Sequence, residues 1–210
     1  MKKLIMLVGI CLIAFAVKAQ DDQKSKKSAL QFAVVAGINL SGIHGESEMY
    51  SGSLLGGQIG VMMNVMELSE KLALRAELNF SMQGGKYEFS YGSYFSSGKD
   101  RLNYINLPII ARYKRSGGFF AEAGVQPGFL LSAKDNYEDD GESGSIDIKK
   151  YLNKFDLGIV LGAGFEFKNK IGVGIRVVPG LTNINKKDPD YQAIKDRNFV
   201  ASLRASYSFY

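Results

Sequence analysis

The stretch Phe155–Leu181 constrains the fold more than any other part of the chain. In its first half, up to Phe167, every second side chain is apolar, and the side chains between them are small or charged. This period of two is typical of a β-strand. The same alternation resumes after Asn169-Lys170 and continues to Val177, so the two-residue connection predicts a β-hairpin.

The second face of these strands is unusual for a protein in water. It carries glycines beside isolated ions such as Asp156, Glu166 and Arg176, whereas a solvated face would normally carry more Lys, Glu and Thr. Glycines next to single charges suit a crowded interior, whereas an unbroken apolar face suits lipid. We therefore expect an inverted arrangement in which apolar side chains point outward and polar side chains point inward.

Eight segments share this alternation, and each offers about 10 residues, the length that a tilted strand needs to cross a bilayer. They lie near residues 32–41, 55–66, 72–83, 101–114, 118–132, 155–168, 171–177 and 199–209. The third could continue past Gly84-Gly85 to Tyr91. Because long and short connections alternate, the sequence predicts an all-β fold, an eight-stranded antiparallel up-and-down transmembrane β-barrel. Pro108 and Pro127 cannot donate ladder hydrogen bonds and predict either a bulge or a local break in pairing at each position.

The N-terminus predicts export. Residues 1–19 combine Lys2 and Lys3 with a short apolar run, which is typical of a signal peptide cleaved between Ala19 and Gln20. An N-terminal membrane anchor is the alternative. Residues 20–30 form a flexible lead-in, and residues 31–210 form the barrel domain. We expect the mature protein in the outer membrane of a Gram-negative bacterium.

Cysteine content and charge exclude several functional classes. Cys11 is the only cysteine and lies within the predicted signal peptide, so disulfides, thiol nucleophiles and thiolate metal sites are excluded from the mature chain. Removing the three lysines of the signal peptide leaves 23 basic and 21 acidic residues, a net charge of +2. That balance does not favour a nucleic-acid partner.

Three segments carry a family resemblance. LNYINLPIIARY at 102–113, FDLGIVLGAGFEF at 155–167 and IGVGIRVVPGLTNI at 171–184 resemble the PorT-like family of small bacterial outer-membrane β-barrel proteins. The resemblance implies an eight-stranded barrel in a Gram-negative outer membrane. It also implies a link to protein secretion for one branch of that family, without assigning this chain to the branch.

The inward positions carry four arginines and four acids. These residues are Arg75, Arg112, Arg176, Arg204, Glu77, Glu122, Asp156 and Glu166. An eight-stranded barrel has room only for its own side chains, and buried charges must be paired. We therefore predict a structural lumen charge network that fills the barrel, and a gated ion path is the alternative.

No other cluster predicts catalysis or metal binding strongly. His44, the only histidine, lies near Ser41, Glu46 and Ser47, but a solvated loop residue is the simpler interpretation. The acidic run around Glu138 resembles a calcium loop only distantly, because the final ligand and flanking helices are missing. We expect no enzyme activity, no cofactor and no resident metal.

The predicted function is a structural or interaction role in the cell envelope. A link to protein secretion rests on the family resemblance alone. Expected partners are outer-membrane lipid and lipopolysaccharide, and a cell-envelope protein that binds the outer loops; no nucleic acid is expected. The predicted loops are Gly42–Gly52, Gly92–Asp100, Ala133–Leu152 and Thr182–Asp196. Two alternatives remain open: a secreted lipocalin-like barrel with an apolar ligand inside, in which Leu74, Leu78, Ile159 and Leu203 would line the cavity, and a lipid-modifying enzyme that uses His44.

Overall fold

The computed structural model describes residues 31–47, 49–91, 94–139, 142–187 and 194–209. Within these ranges the chain forms ten β-strands and a short 3-10 helix at Lys149–Tyr151. The strands are β1 Phe32–Gly45, β2 Tyr50–Glu67, β3 Leu72–Tyr91, β4 Tyr94–Asn106, β5 Ile109–Lys114, β6 Phe119–Asp139, β7 Glu142–Asp147, β8 Phe155–Glu166, β9 Ile171–Pro179 and β10 Asp196–Ser208. None of the helices in these ranges is long and apolar enough to span a membrane. The predicted signal peptide and lead-in, residues 1–30, lie outside the described residues.

The strands form one closed antiparallel ring. Strand β1 pairs with β2 and β10, β10 with β9, β9 with β8, and β8 with β6. Strand β6 pairs with β4 and β5, which both pair with β3, and β3 returns to β2. Apart from the β1–β10 closure, neighbours in the ring follow one another along the chain when β4 and β5 are counted as one wall and β7, which lies outside the ring, is set aside. The predicted antiparallel up-and-down barrel is therefore confirmed.

Ten strands build eight walls. The predicted fourth strand is divided into β4 and β5 at Leu107-Pro108, so the break predicted for Pro108 is confirmed. Strand β6 continues through Pro127, which lies beside the same gap and pairs with Leu157 of β8. The carbonyls of Pro127 and Pro108 accept hydrogen bonds from the N–H groups of Leu107 and Glu77, at 2.8 and 2.9 Å. The remaining extra strand, β7, pairs only with β6.

The strands extend much further on the long-loop side than the alternation predicts. Most of the predicted loops Gly42–Gly52 and Gly92–Asp100 belongs to strands, and Ala133–Leu152 contains the β6–β7 hairpin and the 3-10 helix. These loop predictions are wrong because the alternation signal needs one apolar face. Beyond the bilayer both faces of a strand are wet, while the backbone hydrogen bonds continue unchanged. Of Thr182–Asp196, residues 188–193 lie outside the described residues.

The inverted sidedness holds throughout the barrel. Leu78, Ile159 and Leu203 point outward with 46%, 37% and 55% of their surface exposed, whereas Arg75 and Glu77 point inward with 4% and 5% exposed. A lipocalin-like barrel requires the reverse, with apolar side chains around the cavity and charges in water. The lipocalin alternative is therefore wrong for this chain.

Aromatic side chains mark both ends of the outward apolar surface. At the end with short turns, Phe165 lies edge-on to Phe119 and Phe167, with ring centroids 4.9 Å apart in each pair. At the other end, the rings of Phe129 and Phe155 are 5.6 Å apart. Such girdles flank the lipid-facing band of outer-membrane barrels at its two interfaces with water.

The β8–β9 turn is one residue longer than predicted. The N–H of Phe167 donates to the carbonyl of Ile171, at 2.8 Å, and the N–H of Lys170 donates to the carbonyl of Phe167, at 3.1 Å. Lys170 has a φ of 69°, in the left-handed region. This arrangement is a three-residue hairpin loop, a turn followed by a left-handed residue, and it replaces the predicted two-residue connection.

Candidate functional site

Arg176 is the centre of an ion-pair network inside the barrel. Its guanidinium donates to both carboxylate oxygens of Glu77, at 2.8 and 2.9 Å, and to Oε1 of Glu122, at 2.8 Å. Arg204 donates to Oε2 of Glu77 at 2.7 Å. Each of these four side chains is at most 8% exposed. The pairs are thus charge-assisted hydrogen bonds in a region with little water, where they are strongest.

Arg112 continues the network toward the short-turn end. Its Nε lies 3.6 Å from Oε2 of Glu122, and its Nη1 donates to Oε2 of Glu166 at 3.2 Å. Its guanidinium also stacks on Phe120, 3.4 Å from the ring centroid. Lys114, whose side chain is 39% exposed, lies 3.1 Å from the other oxygen of Glu166. The network therefore ends at the rim of the barrel in a pair that reaches water.

Two of the eight predicted network residues lie apart from these ion pairs. Arg75 is buried, but its Nη1 donates to Sδ of Met62, at 3.6 Å. No carboxylate in the described part of the chain lies within 4.0 Å of its side chain. Asp156 accepts hydrogen bonds from Thr182, at 2.6 Å, and Asn198, at 2.9 Å. The prediction that placed Asp156 with the arginines is therefore wrong.

The height along the barrel axis separates Asp156 from the network. Glu122 faces Gly162 across the β6–β8 pair, whereas Asp156 is six residues away from Gly162 along β8. Six residues correspond to ~20 Å at about 3.3 Å per residue. The alternation correctly assigned Asp156 to the inner face but does not specify its height.

Glycines make room for the network side chains. A Cβ atom on Gly162 would lie 2.8 Å from Oε1 of Glu122, and one on Gly164 would lie 2.4 Å from Cζ of Phe120. Real Cβ atoms do not approach other atoms so closely. The glycines of β8 therefore thin the wall where Glu122 and Phe120 cross the lumen, as the sequence predicts.

Little empty space remains beside the ion pairs. A cavity of about 20 Å³ is bordered by residues that include Glu77, Arg112 and Phe120. One water needs roughly 10–15 Å³ on this scale, so the cavity accommodates a single water molecule. The arginines and glutamates thus occupy the cross-section of the barrel at this height.

An apolar cluster closes the long-loop end, which the sequence did not predict. It consists of Ile43, Leu102, Tyr104, Leu130, Ala133, Leu152 and Ile184, all at most 8% exposed. Leu152 and Ile184 come from the connections after β7 and β9, and these connections are tied together by Asn153, which donates to the carbonyls of Asn183 and Asn185 at 3.0 and 2.9 Å. The two connections fold over the mouth of the barrel.

A second titratable cluster lies above the lipid-facing band. Tyr50 donates a hydrogen bond to Asp100, and Tyr87 donates to both oxygens of Asp135, at 2.9 and 3.0 Å. Asp100 and Asp135 are direct cross-strand partners of β4 and β6. Burial, opposed by the hydrogen bond from Tyr50 and reinforced by the charge of Asp135, raises the pKa of Asp100 to about 6. Burial also raises the pKa of Asp135 and of both tyrosines above their usual values.

The predicted catalytic and calcium groupings do not assemble. Ser41 is buried and donates to the carbonyl of Leu54, whereas His44 is on the outward face, with its ring centroid 6.0 Å from that of Phe199. Asn136 and Glu138 pair with serines of β7 in a flat hairpin. Within the described residues, no three His, Cys, Asp or Glu side chains converge as metal ligands.

Sequence reasoning missed three parts of this arrangement. Lys114 shares the inward parity of Arg112, so alternation alone could have identified it as a partner of Glu166. Tyr50 had no such signal, because it lies on a strand extension that the sequence presents as polar loop. Tyr87 lies on the continuation of β3 to Tyr91, which the sequence allowed and the structure confirms. The mouth cluster also lacked a signal, since Leu152 and Ile184 are isolated apolar residues in polar segments.

The chain is similar in fold to small outer-membrane proteins of known structure. Neisserial surface protein A is 12% identical, with a TM-score of 0.52 over 85% of this chain and 97% of that one. The attachment invasion locus protein Ail of Yersinia pestis is 11% identical, with a TM-score of 0.51 over 86% and 99% of the two chains. No curated protein matches the sequence.

Residues 18–186 match the family described as outer membrane protein beta-barrel domain. This range covers most of the 210 residues. It includes the strands that supply every arginine and glutamate of the ion-pair network except Arg204. The closed ring, the outward apolar face and the aromatic girdles agree with that family. The protein is therefore an outer-membrane protein of the Gram-negative cell envelope, and the chain belongs to the outer membrane protein beta-barrel domain family.

Proposed function

We propose that this barrel is a filled membrane anchor that presents an extracellular β-sheet for docking to another cell-envelope component. The observation that carries the proposal is the continuation of β3, β4, β6 and β7 beyond the lipid-facing band. Phe129 of β6 belongs to the outer aromatic girdle, and the strand continues to Asp139. The projecting sheet is an ordered surface, while the lumen below it is filled by side chains.

Two features favour a docking role over a pore. The ion pairs around Arg176 fill the barrel near the short-turn end, and the apolar cluster around Leu152 closes the opposite mouth. An ion crossing the barrel would have to displace both. We therefore expect no stepwise conductance when the purified protein is inserted into a planar bilayer.

A non-enzymatic role is also part of the proposal. Ser41 and His44 point to opposite sides of β1, so these two residues do not form a nucleophile–base pair. The ion-pair carboxylates are occupied by arginines, which leaves them poor general bases. We expect a His44→Ala strain to keep the activity of its outer membrane toward lipid substrates unchanged.

We further propose that the chain is a PorT-like protein. The segments 102–113, 155–167 and 171–184 support this assignment, and they form the β4–β5 wall and the β8–β9 hairpin. A role in protein secretion would follow only if the docking partner were a secretion component. Identification of the partner therefore answers two separate questions. Any specific partner supports the docking function, whereas a secretion component as partner supports the PorT-like assignment.

Site-specific crosslinking in intact cells tests the docking function. A photoreactive residue at Glu138 or Ser143, on the β6–β7 hairpin, should form a discrete adduct with a partner. The same probe at Lys168, in the opposite turn, is the matched control for insertion and expression. Adducts of the same mass from both ends, or adducts with lipid alone from the hairpin, would contradict a docking role for the extracellular sheet.

A further inference from the structure

The outward face of β3, β4 and β6 changes abruptly from apolar to basic above the outer aromatic girdle. Phe80, Ile105 and Phe129 face one another across the three strands near the top of the apolar band, and Met82 and Leu131 are its last exposed apolar residues on β3 and β6. Further along the same outward face lie four exposed cations. We call them the basic patch: Lys86, Lys99, Arg101 and Lys134.

The register brings these cations together as two pairs of like charge. Lys86 and Lys99 are direct cross-strand partners on β3 and β4, and Arg101 and Lys134 are direct partners on β4 and β6. The Cβ atoms of such partners lie about 4.5–5.5 Å apart, and like charges placed opposite each other destabilise a sheet. An anion bound from outside would offset the repulsion within these two adjacent pairs.

The described part of the protein supplies no ion-pair partner for the patch. None of its four side chains lies within 4.0 Å of a described carboxylate, in contrast to Arg112, Arg176 and Arg204 in the lumen. Asp147 is the cross-strand partner of Lys134, but its Oδ1 accepts a hydrogen bond from the backbone N–H of Lys149, at 2.9 Å. The patch therefore presents its charge to the surroundings.

The position of the patch matches the head-group layer of the outer leaflet. Arg101 is four residues beyond Ile105, which is ~13 Å along the strand at about 3.3 Å per residue. A strand tilt of roughly 35–45° reduces this to about 10 Å along the membrane normal. Lipid head groups begin at the edge of the apolar band, so the patch faces them and not the acyl chains.

An open depression beside the patch has room for a sugar head group. Its volume is about 570 Å³, and its border includes Lys86, Lys99 and Arg101. Glu88 and Glu138 border it two residues further from the membrane, on the same outward face. The depression is therefore basic on its membrane side and acidic on its far side. An amphiphile with its phosphate near the bilayer surface would meet the cations first.

We propose that the basic patch binds the phosphate groups of a phosphorylated glycolipid anchored in the outer leaflet. Lys and Arg side chains form strong charge-assisted hydrogen bonds with phosphate. A lipid-anchored phosphate is favoured over a free one because the outward direction of the patch places it against the membrane surface. The patch lies on the membrane side of the depression, whereas the docking function uses Glu138 and Ser143 on its far side.

Binding of purified protein in detergent micelles to two forms of one lipid tests the proposal. The probes are lipid A that carries both phosphates and the same lipid A after their removal. The test variant replaces the patch with glutamine: Lys86→Gln, Lys99→Gln, Arg101→Gln and Lys134→Gln. The control variant removes four exposed charges from the short-turn end: Lys71→Gln, Arg115→Gln, Lys168→Gln and Lys170→Gln. Heat-modifiable gel mobility reports whether each protein is folded.

The wild-type protein and the control variant should bind phosphorylated lipid A at least about tenfold more tightly than the dephosphorylated form. The test variant should lose this preference and should melt at the same or a higher temperature without lipid, because like-charge repulsion is relieved. If it fails to fold, the pair Lys86→Gln and Lys99→Gln replaces it. Equal loss in the control variant, equal binding of both lipid forms by the wild type, or complete competition by millimolar inorganic phosphate would overturn the proposal.

Discussion

Replacement of Glu77 by glutamine tests the lumen network most directly. The carboxylate accepts four hydrogen bonds, two from Arg176, one from Arg204 and one from Asn79, and its side chain is 1% exposed. Glutamine keeps the volume and one acceptor oxygen but removes the charge, so the guanidinium groups of Arg176 and Arg204 lose one of the two carboxylates they share, and Glu122 alone remains. Breaking one partner of a buried pair costs about 3–5 kcal/mol. We expect Glu77→Gln to lower the free energy of unfolding by about 3 kcal/mol, a large part of the roughly 5–15 kcal/mol typical of a domain.

Urea unfolding of the barrel in detergent micelles or lipid vesicles measures this loss. Heat-modifiable gel mobility gives the folded fraction, and midpoints should be approached from both the folded and the unfolded state. Glu67→Gln, at the exposed end of β2, is the matched control and should leave the midpoint unchanged. A change below about 1 kcal/mol in Glu77→Gln would refute the reasoning that the ion pairs hold the lumen together.

A double-mutant cycle separates the ion pair from other effects of the substitution. Arg204→Met combined with Glu77→Gln should cost less than the sum of the two single changes, because the second change removes a charge that the first left unpaired. Additive losses would mean that the two side chains are not coupled. Glu122→Ala should also cost about 3–5 kcal/mol, because Glu122 is a partner of both Arg176 and Arg112.

Three further predictions concern the turn, the lumen wall and the titratable cluster. Lys170→Gly should stabilise the barrel by about 1 kcal/mol in urea unfolding, because glycine adopts the left-handed conformation without strain. Gly164→Ala should destabilise it by about 1–3 kcal/mol, since the new Cβ would meet Phe120, whereas Gly57→Ala, with its nearest neighbour at 3.8 Å, should change little. The pKa of Asp100 is raised above its unfolded value, so the stability it contributes is fully present below about pH 4 and is lost as the pH rises through 6. Asp100→Asn should therefore gain stability relative to wild type between pH 4 and 7, by about 2 kcal/mol, measured by protease resistance of the extracellular sheet; a pH-independent difference would contradict it.

The outward face could be predicted because it obeys a strict rule. Lipid tolerates no exposed polar groups in the band, so apolar residues such as Leu78, Ile159 and Leu203 occupy every second position of their strands. The same parity assigned Arg176 and Glu122 to the interior. Pro108 marked the break in the wall because proline has no N–H to donate.

Apart from the continuation of β3 to Tyr91, the strand extensions could not be predicted. Tyr50 and Asp135 lie on extensions whose two faces are both polar, so the sequence has no period that separates them from loop. Backbone hydrogen bonds hold these extensions in the sheet, and they depend on the register of the whole strand. The like-charge partners Lys86 and Lys99 are thirteen positions apart in the chain, and only that register brings them face to face.

The sequence by itself determined which side chains face lipid and which face the lumen, because parity along a strand is a local property. Only the tertiary structure decided which inward charges meet. Height along the axis depends on strand tilt and on the stagger between walls, neither of which is local. Arg176 and Glu77 are nearly a hundred residues apart and share two hydrogen bonds, while Asp156, with the same parity, lies at another level.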